Sequence, residues 1–586
     1  MRKAIISIIF LLSLITGTLG ISACFSNEKI QLYAPENLHI EGRILTWDEV
    51  ENASGYKVSV AGEEKETQEN SFVLLNLTGP ATYNIMVAAL GDDIRYTNSP
   101  YNDIEFTLEA PIAQAYDSVG FKYTLLEDGT GYEIHHGKLS DSDEVLHGTV
   151  YLPDFFNNYP VKRIADSAFT DYVPGREGNV PDPFTEAYCL TTAKGFRLPA
   201  YLESIGDCAF YGCVRVEEFV LPESVTEIGS MAFKSCKRLK RINIPDGVKE
   251  INCFEYCSLE EITLPEGLEI IGNRAFMGGE RVAGDKKFRI YNSFKSIVIP
   301  ESVTEIGDLA FGQCFDLTDI SLPRNLQYMG DKVFGYTAWY EAQADGFVTI
   351  RGDILHNYKG DKVGPEGLVQ IPSHIKYIAA GSFYKMNNIV EIIIPDGVKF
   401  IGDSVFSDCD SLTKVRLPSD LEVIPEKTFG GCSSLKEIVI PDSVTKIDFQ
   451  AFVGSAIESI KLSDSLTEIG QAAFSECHNL KQIELPDSVT EIGSMAFART
   501  AIESIVIPAS VKKLGHSAIH FTTNIIPVKG KPLKELFYKG TQEQWEEIEK
   551  EKNETIDKAT KYFYSETRPS QPGNFWHYVD GKVTVW

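Results

Sequence analysis

Apolar residues along most of this chain recur as one fixed sentence. A clean copy runs Ser434-Leu435-Lys436-Glu437-Ile438-Val439-Ile440-Pro441, followed by Val444, Ile447 and Ala451-Phe452. From Phe169 to about Pro508 the sentence returns at a period of about 23. Aligned prolines mark it at 199, 222, 245, 265, 300, 323, 372, 395, 418, 441, 486 and 508, with Ser463 standing in for one. A fixed period of this length predicts a solenoid, in which each coil buries its apolar face only against its neighbours.

Polarity within one copy assigns its elements. Leu435, Ile438 and Ile440 point into the core from a short strand, and Pro441 ends it because proline cannot donate to a ladder. Val444 and Ile447 form a second extended run on the same core. A glycine follows that Ile in many copies (Gly206, Gly229, Gly272, Gly307, Gly402, Gly470, Gly493) and is expected to turn the chain. Ala-Phe then caps a short helical turn. Phe169, Phe210, Phe233, Phe254, Phe276, Phe311, Phe334, Phe383, Phe406, Phe429, Phe452, Phe474 and Phe497 predict a spine of stacked rings, one per coil. Val511, Leu514 and Ile519 mark a worn further coil, for about 13–14 in all. At ~4.8 Å between parallel strands the array is about 65 Å long. The coil at Ile251-Asn252-Cys253-Phe254 lacks the glycine and runs short.

The spacing Leu435-x-x-Ile438-x-Ile440 is that of leucine-rich repeats. The fuller pattern I-P-x-x-V-x-x-I-G-x-x-A-F-x-x-C-x-x-L resembles the BspA-like leucine-rich-repeat family of bacterial surface proteins, over roughly residues 111–586. The resemblance implies adhesion to host proteins, matrix or other microbes. It brings no catalytic residues to carry over, and no cofactor is expected.

The rest of the chain differs. Met1-Arg2-Lys3 is a basic start, Ala4 to Leu19 is apolar, and the segment ends in Ile21-Ser22-Ala23-Cys24. This resembles a bacterial lipobox, which implies cleavage before Cys24 and a diacylglyceryl anchor on it; two acyl chains hold stably where one does not. The other reading is an ordinary export signal with an incidental cysteine. Residues 30–110 carry short alternating runs between turns, as in an all-β sandwich. The pattern Trp47-Asp48-x-Val50-x-Asn52-Ala53-Ser54-Gly55-Tyr56-x-Val58 resembles bacterial fibronectin type III modules, in which the Trp and the later Tyr83 are core residues. The expected organisation is a lipoprotein signal at 1–23, an anchor linker at 24–29, the sandwich at 30–110, an N-terminal cap at 111–165, repeats at 166–527 and a C-terminal cap at 528–586. The N-terminal cap reads as a hairpin of Tyr123-Thr124-Leu125 with Tyr132-Glu133-Ile134.

Charge narrows the partners. With 55 basic and 83 acidic residues the formal net charge is −28, which argues against nucleic acid. Hydrophobic residues make up 43%, so the chain is neither polytopic nor disordered. Of 11 cysteines, seven (Cys213, Cys236, Cys257, Cys314, Cys409, Cys432, Cys477) share one repeat column and read as buried thiols, since one ligand per coil makes a line and not a metal tetrahedron. His516 and His520 lack a third ligand. His135-His136 read as solvated, and Asp141-Ser142-Asp143-Glu144 lacks the glycine and distal Glu of a calcium loop.

Three insertions break the period. The first, between Phe169 and Pro199, holds Tyr172, Phe184 and Tyr188. The second carries Arg281, Lys286, Lys287 and Arg289, a basic loop on a very acidic chain; the third, from Gly335 to Val369, carries Trp339 and Tyr340. Each reads either as a binding loop or as tolerated decoration, the third also as an alternative coil. The outward strand position (Val220, Asn243, Thr263, Val298, Ser321, Ile393, Arg416, Val439, Lys461, Glu484, Val506) reads either as strand propensity or as a protein-binding surface. The function expected is a non-catalytic surface lipoprotein whose solenoid binds a protein or glycan on a host or microbial surface, with the membrane reached only through the anchor. The alternatives are a structural envelope protein without host ligand and a surface carbohydrate-binding component.

Overall fold

The computed structural model describes residues 29–75, 77, 80–136, 147–170, 192–283, 286–361, 363–519, 533–552 and 554–586. Cys24, the Tyr172–Tyr188 insertion, Asp141–Glu144 and His520 lie outside them. The chain forms two compact units, the first essentially the residues up to Ile112 and the second the remainder from Ala113.

In the first unit, His39–Glu41, Ile44–Thr46 and Ser71–Val73 make a three-stranded antiparallel sheet. Glu63–Thr67, Gly55–Val60, Ala81–Leu90 and Asn102–Leu108 make a four-stranded one in that order. Strand alternation buries Leu45, Val58, Ile85, Val87 and Leu108. Trp47 is buried as expected, its ring edge-on to Tyr56 at 5.1 Å. Tyr83 is only half-buried: it shares the side of Ile85 and Val87 but sits nearer the exposed start of its strand.

The second unit is built from parallel ladders. Leu368–Gln370, Glu391–Ile393 and Lys414–Arg416 pair side by side, as do Glu437–Val439 and Ser459–Lys461. The second runs form their own ladder, from Val423–Ile424 through Lys446–Ile447, Glu468–Ile469, Glu491–Ile492 and Lys513–Leu514 to Glu549–Lys550. At one end the hairpin of Lys122–Leu125 and Tyr132–His135 forms as anticipated, with Tyr123 opposite Ile134. Within it His135 is half-buried and pairs with Glu133 at 3.0 Å, so it is not the solvated residue expected. At the other end Ser504–Ile507, Glu535–Tyr538, Thr560–Tyr564 and Phe575–Val579 run parallel and Lys582–Val585 closes antiparallel. Buried Trp576 fixes this end by donating Nε1–H to the Tyr538 carbonyl at 2.9 Å.

All thirteen spine phenylalanines are buried. The rings stack in two runs, Phe169 to Phe334 and Phe383 to Phe497, with centroids 5.2–5.6 Å apart. Between the runs the third insertion supplies substitutes. Its strand Ile354–Lys359 joins the ladder beside Tyr377–Ile378, with His356 5.8 Å from Phe334 and Tyr358 5.6 Å from Phe383.

Two local expectations are corrected. The Ala-Phe segment is not helical: Ala451 N–H donates to Asp448 O at 3.3 Å and Val453 N–H to Gln450 O at 3.0 Å, which are successive tight turns. The glycine does not supply the left-handed backbone either. That conformation falls on the residue two before the Phe in nearly every coil, Asn252 before Phe254 being the exception; it includes Cys208, Met231, Arg274, Leu309, Gln450 and Met495, at φ of 53–58°. The glycine is needed for close approach of neighbouring coils: a Cβ on Gly493 would lie 2.6 Å from the Gln471 nitrogen and 2.7 Å from the Gly470 carbonyl carbon. Gly493→Ala is therefore expected to destabilise by about 1–3 kcal/mol through overpacking of backbone on backbone. Gln450→Gly should be neutral or stabilising by up to about 1 kcal/mol, because it relieves a left-handed side chain. Urea melts of the two variants test this inversion of the usual Gly and Ala preference.

The cysteine column has its own logic. Nine described cysteines are free and buried. Cys409, Cys432 and Cys477 each donate S–H to the carbonyl of the Phe one coil earlier (Phe383, Phe406, Phe452) at 3.1 Å. A thiol is small and apolar enough for the core yet gives that carbonyl a partner. Burial pushes Cys409 and Cys477 up to about 12, so they stay protonated donors. Where the second insertion interrupts the column, buried Asn292 takes over, donating to the Phe254 and Phe276 carbonyls at 3.2 and 2.8 Å.

Candidate binding face

Each first strand turns one residue outward between its last two core positions. Val220, Val298 and Val439 are exposed by 67%, 69% and 63%. Asn243, Thr263, Ser321, Arg416, Lys461 and Glu484 are also exposed, while Ile393 and Val506 are half-buried. Beside them, ion pairs in two neighbouring columns tie coil to coil: Arg241 to Glu218 at 3.0 Å in one, Lys436 to Glu458 at 3.1 Å and Lys534 to Glu503 at 3.0 Å in the other. Hydrogen bonding to Arg241 holds the Glu218 carboxyl below the usual carboxylate range. Such exposed pairs add little stability. They leave a face of mixed chemistry over a constant core.

On the opposite flank the carboxylates are already engaged. Asp166 accepts the Asp207 amide at 3.0 Å, Asp207 that of Ser230 at 2.7 Å, and Asp308 that of Asp331 at 2.7 Å. This side-chain ladder explains the Asp column without a metal, and no cluster of three metal-ligating side chains occurs among the described residues. Exposed His516 gives its backbone N–H to Ser494 and Glu551.

The basic insertion is a hairpin of Gly279–Ala283 and Lys286–Ile290. Its register sets Arg281 opposite Phe288, Val282 opposite Lys287, Glu280 opposite Arg289 and Ala283 opposite Lys286. Alternation therefore places positions 281 and 286 on one face and 287 and 289 on the other. Trp339 and Tyr340 lie on the short helix Ala338–Glu341, capped by Thr337. Both are half-buried and pack around His356, at 5.7 and 5.9 Å between centroids. Lys359 Nζ sits over the Tyr340 ring at 5.1 Å and donates to the carbonyls of Tyr340, Glu341 and Gln343.

The model of the BspA type leucine rich repeat region matches residues 184–283, 281–341, 367–470 and 399–526, together more than half of the chain. The chain belongs to this family. Among solved structures it is similar to a leucine rich cell surface protein from Faecalibacterium prausnitzii A2-165, at 23% identity over 76% of this chain and 99% of that one, TM-score 0.30. A leucine-rich repeat protein from Bacteroides ovatus ATCC 8483 is similar at 24% identity over 77% and 99%, TM-score 0.29. The pneumococcal vaccine antigen PcpA is similar at 18% identity over 77% and 94%, TM-score 0.30. No curated protein matches the sequence.

One coil departs from the BspA-type pattern, the short one between Pro245 and Pro265. Glu218–Phe219 pairs with Arg241–Ile242 in the normal register. Past Ile242 a side chain replaces the ladder: Leu221 N–H donates to Asn243 Oδ1 at 2.7 Å, and Asn243 Nδ2–H to Leu221 O at 2.8 Å. The next segment, 261–264, forms no strand. Over residues 218–220, 241–246 and 261–266 the strand face carries a concavity of about 530 Å³. The missing residues of this coil are visible in the sequence; the concavity is not.

Proposed function

We propose that this protein is a non-catalytic lipoprotein of the bacterial cell surface whose solenoid binds a macromolecular partner, a protein or glycan on a host or microbial surface. The observation that carries the reading is the separation of roles within each coil. The core columns repeat because packing demands them, whereas the outward strand position varies from Val439 to Lys461 to Glu484 and stays exposed. Repeat proteins use such faces for partners. The basic hairpin with Arg281, Lys286, Lys287 and Arg289, together with Trp339 and Tyr340, adds candidate contacts at the insertions. Residues 30–110 act as a fibronectin type III-like spacer, which the three- and four-stranded sheets support. The repeats occupy 166–527, between caps at 111–165 and 528–586.

Pull-down with the exported chain against host matrix proteins, glycans and bacterial envelope tests binding. Capture of a partner that is lost on substituting outward strand positions supports the reading; no capture from any of the three sources refutes it. Anchoring is tested separately. Cys24→Ser should release the protein or leave the precursor uncleaved, and a variant processed and retained like wild type would exclude lipidation at Cys24.

A further inference from the structure

We propose that the end of the first unit at which the chain enters is a lipid-contact surface, with Ile30, Tyr33 and Ile94 seated in the interface of the bilayer that holds the anchor. This deepens the proposed function and rests on its lipid anchor at Cys24. The first observation is exposure. Ile30, Tyr33 and Ile94 are exposed by 63%, 86% and 80%, and among the described residues no large apolar side chain is more exposed than the last two. Leu32, on the same side of the strand as Ile30, is at 6% and closes the core, whereas Ile30 runs past the end of that core.

The second observation is that these residues are held in place. Ile30–Gln31 pairs in parallel with Tyr96–Thr97. Ile30 N–H donates to Arg95 O at 2.9 Å and Leu32 N–H to Thr97 O at 3.1 Å. Asp92 Oδ1 accepts the amides of Ile94, Arg95 and Tyr96 at 2.9, 2.7 and 2.9 Å, which fixes the turn that presents Ile94. Ile30 therefore stands beside the Ile94 turn on a hydrogen-bonded frame.

The length of chain before Ile30 selects the occupant. Cys24 precedes Ile30 by six residues, a reach of at most about 20 Å when fully extended. A diacylglyceryl group on Cys24 thus keeps this end of the unit within that distance of the headgroups. Charge permits the contact. Over residues 29–33 and 92–97, Lys29 and Arg95 balance Asp92 and Asp93, on a chain of net charge −28, so anionic headgroups meet no net repulsion here. The two isoleucines suit the acyl boundary, and the amphipathic Tyr33 ring suits headgroup depth. The anchor is then joined by a second contact, which sets how the first unit stands on the membrane.

The test uses the chain from residue 24 to 586 with one myristoyl group attached chemically to its N-terminus, and vesicles of phosphatidylcholine with phosphatidylglycerol. One acyl chain alone binds marginally and reversibly, so an added contact shows in the partitioning. The double variant Ile30→Ser, Ile94→Ser should partition about tenfold more weakly than wild type, the scale of withdrawing two apolar side chains from the interface, while melting like wild type. The Ile94→Trp variant should gain blue-shifted emission that brominated-chain lipids quench. Val579→Ser, at a valine of the second unit exposed by 44%, should leave partitioning unchanged. Equal partitioning of the double variant and wild type overturns the proposal, as does Ile94→Trp emission that brominated lipids leave untouched, or an equal loss from Val579→Ser. Because the acyl group is supplied chemically, these outcomes do not depend on lipidation in cells. If the double variant partitions like wild type while Cys24→Ser releases the protein, the contact is refuted and the anchor stands.

Discussion

Phe452→Ala lowers stability by about 3–5 kcal/mol, the cost of removing a buried ring and leaving the cavity. The ring is fully buried and has neighbours on both faces, Phe429 at 5.4 Å and Phe474 at 5.2 Å, the latter nearly parallel at 2°. Ala451 and Ala473 beside it are also fully buried and too short to fill the space the ring leaves. Each coil contacts only its neighbours, so the damage passes along the stack through coupled interfaces and does not remain local. Denaturant unfolding of Phe452→Ala beside Phe452→Leu measures it. The leucine variant should recover part of the loss by filling volume without restoring the stack. A loss below about 1 kcal/mol for the alanine variant would mean that the spine does not carry the core.

What the sequence made legible was whatever it repeated. The Phe, Cys and strand columns each appear many times, so their burial and pairing could be read from spacing alone. Singular replacements were opaque. His356 and Tyr358 bridge the spine from inside an insertion, and Asn292 does the work of a missing cysteine, yet neither sits at the repeat spacing. The left-handed position leaves no mark in the sequence, because Met231, Arg274 and Gln450 share backbone geometry and no side-chain chemistry. The glycine column is plain in the sequence but its cause is not, because a close approach between coils leaves the same mark as a turn. Trp339 and Tyr340, chosen as loop aromatics, spend much of their surface on His356, and only the fold of the insertion could reveal that.

That histidine gives the second large expectation, a loss of stability on acidification. His356 is fully buried where a phenylalanine would continue the spine. Its Nε2 accepts the Phe334 N–H at 3.2 Å, so the neutral ring carries its proton on Nδ1, which has no partner. Burial, with a smaller contribution from Lys332, lowers its pKa from 6.5 to about 4. The unfolded chain therefore binds more protons than the folded one between these values, and stability falls as pH drops from about 6.5 toward 4. The full difference corresponds to about 3 kcal/mol. Protonation also removes the acceptor that Phe334 uses, at the one joint where neither ring run continues. Asp403 acts in the opposite sense: burial and Glu426 raise it to about 6, so its contribution is present at low pH and is lost as pH rises from 3.8 through 6. The two are separated by His356→Phe. That variant loses the bond from Phe334 at every pH, but its stability should decline less steeply below pH 6.5 than that of wild type, the gap closing by up to about 1.4 kcal/mol per pH unit. Urea midpoints between pH 7.5 and 4.5 provide the comparison. Parallel curves for the two proteins would show that His356 is not the acid-sensitive group.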